Sequence, residues 1–331
     1  MRISVVVPVR NEADSIRDLL DSLLSQTRLP TEIVITDGGS NDGTPEIIEG
    51  YVRQGNPVRL IREKLALPGR GRNLAAAQAS SEWLAFIDAG IRPEADWLAA
   101  LSKRAEAEGA DVVYGAWEPV VDNFFKKCAA IAYLPPPARN GDSFIRPRFL
   151  ASALMRRVVW ESAGGFPEHL RSAEDIVFMN NIERGNFRVV SAPDALVHWQ
   201  IQSTLWRTFK RFRTYARNNM RAGLWRQWQA AVFKRYGLLL VSVLPAIVLG
   251  SRWLIVPLVL WLSMLTARAV VAIRRNRACY PAGIFQNLAR MIVIVGLLAT
   301  LDTATLIGTL QWLLIDKLYA SDNGESIRNG T

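Results

Sequence analysis

Glu12, Asp37 and Asp88 each follow a short apolar run: Val5-Val6-Val7, Ile33-Val34-Ile35 and Leu84-Ala85-Phe86-Ile87. A carboxylate at the end of a strand can accept hydrogen bonds from the N–H edge of a nucleobase or from ribose hydroxyls. Arg70 and Arg72 precede Asn73 at the start of an expected helix. Helix N-termini and guanidinium forks both suit phosphate oxygens, and Arg72 is favoured over Arg70 for that role. A second acidic group, Glu174-Asp175, opens another expected helix after the turn Gly164-Gly165-Phe166. One carboxylate there is enough to take the proton from a hydroxyl nucleophile when the leaving group is a diphosphate. Each feature also has an ordinary reading: a turn-capping Asp37, a surface Arg70, an acidic pair that only complements a helix dipole, a strand-end His198.

The elements needed to position these residues are legible. Ile3 to Val7, Glu32 to Thr36, Val58 to Ile61, Trp83 to Ile87 and Asp111 to Tyr114 read as strands; segments near 12–25, 43–53, 70–79 and 94–107 read as helices. This alternation predicts an α/β domain with right-handed crossovers and a mostly parallel, Rossmann-like sheet. Ligands of such sheets bind beyond the carboxyl ends of the strands, so the loops after Val7, Thr36 and Ile87 should carry the chemistry. Residues 119–150, with Phe124-Phe125-Lys126-Lys127 and Pro135-Pro136-Pro137, read as an excursion of lid or membrane-touching type. Leu150 to Met155, Arg157 to Ser162 and Glu174 to Glu183 resume the pattern, and strands near 187–190 and 194–199 close it at about residue 200.

In order and spacing, Val5-Val6-Val7-Pro8-Val9-Arg10-Asn11-Glu12, Asp37-Gly38-Gly39-Ser40-Asn41-Asp42-Gly43-Thr44, Asp88-Ala89-Gly90, Gly164-Gly165-Phe166, Glu174-Asp175 and His198 resemble the inverting family 2 glycosyltransferases of GT-A fold. The resemblance covers roughly the first 200 residues. It implies a nucleotide-diphospho-sugar donor held through Pro8, Arg10, Glu12, Asp37, Arg72 and Asp88. It implies Asp175 as the catalytic base with Glu174 in support, and a Mg2+ or Mn2+ ion at Asp88 and His198. One departure stands out. Most members place two carboxylates around one residue after the fourth strand, whereas Gly90 takes the second position here. Weak cation binding is the consequence, with Arg92 close enough in sequence to supply charge.

Composition divides the chain. The 331 residues carry a formal net charge of +10, and between Ala195 and Leu301 there is no Asp or Glu. From Trp206 to Tyr236, nine Arg and Lys residues alternate with aromatics, and three apolar stretches follow: Gly237 to Gly250, Trp253 to Ile273 and Met291 to Ile315. A basic aromatic segment beside apolar stretches, two of which reach the roughly 20 residues a span needs, points to membrane lipids and away from nucleic acid. Arg274, Arg275, Arg277 and Arg290 mark the loop between the second and third stretches as cytoplasmic. Two cysteines in unlike contexts require no disulfide or zinc site. Pro8 and Arg10-Asn11-Glu12 end the first apolar run before a signal-peptide core can form.

The expected organisation is a glycosyltransferase domain at 1–200, an interfacial basic segment at 201–236, about three membrane helices at 237–315 and a polar tail at 316–331. An odd number of spans puts the C-terminus outside. The expected protein is multi-pass in the inner membrane, with its catalytic domain cytoplasmic, and moves sugar to a lipid-linked saccharide in envelope or exopolysaccharide synthesis. A polyprenyl phosphate as the acceptor itself stays open, as does a non-catalytic scaffold that keeps a degenerate nucleotide-sugar fold.

Overall fold

Val5, Val6 and Val7, and likewise Ile33, Val34 and Ile35, have no exposed surface, the state that continuous β-branched runs reach when helices cover both faces of a sheet. The computed structural model describes residues 1–140 and 143–319, and side chains outside 138–145 and 319. The chain forms two units, Met1–Val120 with Pro137–Gln200, and Val121–Pro136 with Ile201–Thr331.

The first unit begins β1 (Ile3–Val9), α1 (Ile16–Leu24), β2 (Glu32–Asp37), α2 (Thr44–Arg53), β3 (Val58–Arg62), α3 (Pro68–Gln78), β4 (Trp83–Phe86), β5 (Ile91–Pro93), α4 (Trp97–Glu108) and β6 (Val112–Val120). α5 (Phe124–Tyr133) intervenes and belongs to the second unit. The first unit then adds the short ribbon β7 (Ala138–Asn140) and β8 (Ser143–Ile145), β9 (Ala153–Arg156), α6 (Arg157–Ser162), α7 (Glu174–Arg184) and β10 (Val189–Gln200). The main sheet has the order β3-β2-β1-β4-β9-β6-β10-β5. β3, β2, β1 and β4 are parallel neighbours, and so are β6 and β10. β9 runs antiparallel to β4 and β6, and β5 antiparallel to β10. The sheet is therefore mixed where the alternation predicted it mostly parallel.

Local chemistry explains the other departures. The helix expected from residue 12 starts at Ile16, because Glu12 to Ser15 form a turn entered through Asn11 in the left-handed region at φ 56°. The two strands near 187–190 and 194–199 are one, β10, whose register against β6 shifts between Ala192 and Leu196. Pro193 lies in that shift, where its missing N–H costs no ladder bond. The three-residue β5 was not expected, being too short to show alternation.

In the second unit α5 is joined by α8 (Leu205–Arg221), α9 (Trp225–Trp228), α10 (Ala230–Val241), α11 (Leu244–Leu249), α12 (Ile255–Arg275) and α13 (Ile284–Gln311), which continues as π-helix through Tyr319. Pro245, without an N–H, begins α11 after the short break that follows Val241. Three stretches are long and apolar enough to cross a membrane: Ala230–Leu249, Ser251–Arg275 and Ile284–Leu318. The third differs from the others: 39% of its most apolar window is buried in protein, against 6% and 11%. α8 lies along it. A Cβ at Gly308 would meet the Arg213 carbonyl oxygen at 2.3 Å, so the close approach of the two backbones requires glycine. Asp316, expected in a polar tail, ends this packing instead, accepting from Arg217 at 2.6 and 2.9 Å and from Arg221 at 2.7 and 2.9 Å.

Candidate active site

The loops after β1 and β2 converge through backbone N–H groups that donate to side chains. Asn11 N–H donates to Ser40 Oγ at 2.8 Å and Asn41 N–H to Asn11 Oδ1 at 3.0 Å, while Glu12 N–H donates to Thr44 Oγ1 at 2.9 Å. Pro8 pairs with Thr36 in the ladder and packs on α3, where a Cβ at Gly71 would lie 3.1 Å from Pro8 Cβ. Asp37 is buried and accepts from the N–H groups of Gly39 and Ser40 at 3.2 and 3.1 Å. It thus caps its own loop, and a carboxylate's roughly four lone-pair sites leave it capacity to accept from a ligand as well. Arg10 is exposed.

Gly90 explains its own identity. Its φ is 80°, a left-handed value, and a Cβ there would sit 3.5 Å from Glu12 Oε2. An aspartate at 90 would meet both backbone strain and a like charge. The carboxylate absent from this position is replaced in space by the neighbourhood of Glu12, which Ser15 Oγ holds at 2.5 Å.

The centre of the site is Arg72. From the first turns of α3 its guanidinium donates to Asp88 Oδ1 at 2.6 Å and to Glu174 Oε1 at 2.7 Å, joining three segments far apart in sequence. Its Cζ lies 5.4 Å from the centroid of the Phe166 ring, and Phe166 packs on Phe86 and Phe178 in the core. Asn73 fixes the turn that carries Phe166: its Nδ2 donates to Phe166 O at 2.9 Å, and its Oδ1 accepts from Phe166 N at 2.9 Å. The sequence motif Gly164-Gly165-Phe166 and the motif around Arg72 are therefore one packed assembly. Arg70, by contrast, is held on the surface between Glu63 and Glu168.

Burial acts against charge on Arg72, but Asp88, Glu174 and Asp175 more than offset it and keep the guanidinium protonated. Burial also pushes the Asp175 carboxyl up, Glu174 adds to the rise, and Arg72 opposes it; the group comes to about 6 from an ordinary 3.8. Glu174 is nearly fully buried, and its Oε2 finds no hydrogen-bond partner among the described residues. Against three carboxylates there is one arginine. Arg72 is thus a bracket for the acidic groups, and any diphosphate entering beside them needs further positive charge.

His198 stands apart from this assembly. Its Nε2 lies 2.5 Å from Glu94 Oε1, and among the described residues no three His, Cys, Asp or Glu side chains form a metal-holding group. Sequence reasoning named His198 but missed Glu94, whose position just after a three-residue strand carries no signal. It also missed the Arg72–Glu174 pair, because nothing in the sequence ties residues 102 apart. The oxygen of Asp88 not bonded to Arg72 fits a hard divalent cation only as one ligand among several, the others being substrate phosphate and water.

Residues 4–160 match the profile of Glycosyl transferase family 2. Glycosyltransferase AglE of Haloferax volcanii is 30% identical over 200 residues, 59% of this chain and 65% of that protein. Succinoglycan biosynthesis protein ExoA of Rhizobium meliloti is 32% identical over 196 residues, 56% of this chain and 59% of that one. The chain thus spans about three-fifths of the length of these relatives. Among solved structures, the mannosyltransferase PcManGT of Pyrobaculum calidifontis, in complex with GDP-Man and Mn2+, superposes with a TM-score of 0.54 at 21% identity, over 96% of this chain and 88% of its own. Sheet order and these likenesses agree: the first unit has a GT-A fold, and its residues 4–160 match glycosyl transferase family 2.

Proposed function

We propose that the protein is a membrane-bound inverting glycosyltransferase that moves a sugar from a nucleotide-diphospho-sugar to a hydroxyl of a lipid-linked saccharide in polysaccharide synthesis. The observation that carries the reading is Asp175: a half-buried carboxylate with a raised pKa, one residue from the Arg72-anchored Glu174. A general base works best when its pKa approaches the operating pH. In the proposed step the acceptor oxygen bonds to the anomeric carbon, the bond from that carbon to the diphosphate oxygen breaks, and Asp175 takes the hydroxyl proton. Pro8, Arg10, Glu12 and Asp37 hold the nucleoside end, and Arg72 keeps Asp88, Glu174 and Asp175 in place. Incubating the purified protein with a panel of nucleotide sugars and membrane lipids tests the reading; release of free sugar with no glycosylated lipid in any combination would overturn it.

The excess of carboxylates supports a requirement for Mg2+ or Mn2+, consistent with the Mn2+ of the mannosyltransferase complex. Asp88 is the residue that would hold the ion, which offsets the diphosphate charge when bound; His198 would have to leave Glu94 to join it. With a single carboxylate available, activity should need millimolar rather than micromolar cation and vanish in excess chelator. Full activity in chelator would assign the missing charge to Arg10 and Arg92.

Membrane attachment rests on the apolar helices and on α8, whose Arg207, Lys210, Arg211 and Arg213 and exposed Trp206 suit anionic headgroups. The catalytic unit is assigned to the cytoplasmic face of the inner membrane, where the arginines at 274–277 also belong. The clasp between α8 and Asp316 changes the expected position of the C-terminus. α8 begins five residues after Gln200 and is too short and too charged to cross. Its grip on Asp316 therefore favours the end of α13 on the cytoplasmic side, with only the α10–α12 hairpin crossing. A cysteine placed at Ser251 should react with an impermeant reagent in intact cells, while a C-terminal tag and Cys279 should not; a tag labelled from outside would restore the three-span topology.

A further inference from the structure

Asp302 sits in α13 with its side chain almost wholly buried, 2% exposed, inside a helix apolar enough for a membrane. Arg268 of α12 forks onto it, Nη1 to Oδ2 at 2.5 Å and Nη2 to Oδ1 at 3.2 Å. Tyr236 of α10 donates to Oδ2 at 3.3 Å and accepts from Trp261 Nε1 at 3.2 Å. Arg235 reaches the same carboxylate only weakly, Nη2 to Oδ1 at 3.4 Å, and its Nε is buried without a partner among the described residues. Two guanidinium groups thus share one carboxylate, and one positive charge is left over among apolar helices. An ionisable residue in such a place is expensive and marks a functional site by default.

Depth narrows the missing anion. Arg235 lies five residues into Ala230–Leu249 and Arg268 seven residues before the end of Ser251–Arg275. At ~1.5 Å per residue these are about 8 and 10 Å from the helix ends, within the outer third of a ~30 Å hydrocarbon layer. Both ends flank the side marked by Arg274 and Arg275, a depth at which arginines snorkel to phosphate. Leu238 and Leu262, on the same two helices, expose apolar surface for a chain.

We infer that Arg235 and Arg268, poised by Asp302, bind the phosphate of a long-chain isoprenoid phosphate or diphosphate, the anchor of the lipid-linked acceptor. The inference rests on the acceptor class proposed above. Asp302 already neutralises one arginine, so a dianionic phosphate displaces it more effectively than the monoanionic diester of a bulk phospholipid. Guanidinium forks match phosphate oxygens in pairs, which gives the selectivity its geometry.

The test uses the full chain in phosphatidylcholine nanodiscs, with a polyprenyl monophosphate as probe, read by tryptophan fluorescence and by ligand-induced rise in melting temperature. The native protein should bind it saturably and should bind the parent polyprenol at least about tenfold more weakly. Arg235→Gln should lose about tenfold or more in affinity, Arg235→Lys less, and Arg252→Gln, outside the cluster, nothing. Asp302→Asn separates binding from packing: with the competing carboxylate gone, the probe should bind at least as tightly and raise the melting temperature more than in the native protein. A purely structural cluster would weaken with Asp302→Asn and Arg235→Gln alike, and that outcome would overturn the inference. Equal binding of polyprenol and its phosphate would do the same, as would displacement of the probe by phosphatidylglycerol at equal mole fraction. Because the readout is binding, the two proposals fail separately. Probe binding through Arg235 without sugar transfer to any lipid would sink the acceptor reading alone; transfer that survives with unchanged acceptor KM in Arg235→Gln would sink only the site.

Discussion

Asp175→Asn is expected to bind donor as the native protein does while losing at least about 10²-fold in turnover, the lower range of what general-base assistance supplies. Asparagine keeps the shape of the side chain and its ability to accept from Ile176 N–H at 2.8 Å, so the change removes basicity and little else. The pH profile follows from the same group. A base works deprotonated, so raising its pKa from 3.8 to about 6 moves the acid limb of the native rate up to about pH 6. Stability should move in the opposite direction from activity. Burial and Glu174 penalise the charged form of Asp175 in the folded state, a cost present above about pH 6 and gone below 3.8. The asparagine variant should therefore melt higher than the native protein at neutral pH, and the difference should fade as the pH falls through that window. A variant whose donor affinity collapses while bound substrate still turns over would make Asp175 a binding residue and remove it from the chemistry.

Arg72→Met should be the most damaging single change to the fold of the first unit. Arg72 and Glu174 are 5% and 6% exposed, and breaking a buried pair from one side leaves a charge with neither water nor partner, typically a cost of about 3–5 kcal/mol. Asp88 is 35% exposed, so its share of the loss is screened and small. Methionine fills part of the space over Phe166 but offers no donor. The double variant Arg72→Met with Glu174→Gln should recover much of the stability, since removing both charges removes the penalty. It should not recover activity, because Asp88 and the start of α7 lose the bracket that sets them side by side. Thermal unfolding of the single and double variants, with turnover measured in parallel, separates the two roles. A single variant that keeps both the native melting temperature and the native rate would show that Arg72 is ornamental to the site.

The residue chemistry was readable without a structure wherever it depended on short segments. Continuous apolar runs ending in Pro8, Asp37 and Asp88 announce strands buried on both faces, with polar loops beyond them. Long apolar runs announce helices of membrane-crossing length. Both signals come from neighbours in the chain, whose spacing fixes which face of an element they share. Gly90 was visible as a missing carboxylate but not as a necessity, because its positive φ and its closeness to Glu12 arise only when the β1 and β4 loops meet. β5, of three residues, is too short for alternation to outweigh chance, while β9, within the expected Leu150 to Met155 stretch, turned the sheet mixed through an antiparallel direction that no local pattern encodes.

Longer reach separates what the sequence by itself determined from what only the tertiary structure decided. The sequence determined the elements, the loops that carry the acidic groups, and the apolar lengths of the second unit. Tertiary packing decided that Arg72 spends its guanidinium on Asp88 and Glu174, that His198 faces Glu94, that α5 joins the helical unit, and that Asp302 and Asp316 gather arginines from other helices. The physical reason is common to the pairings of Arg72, Asp302 and Asp316, whose side chains are 5%, 2% and 11% exposed. A buried charge must find an opposite charge within a few ångströms, and the chain satisfies that demand with whichever segment the fold brings near, whatever the separation in sequence.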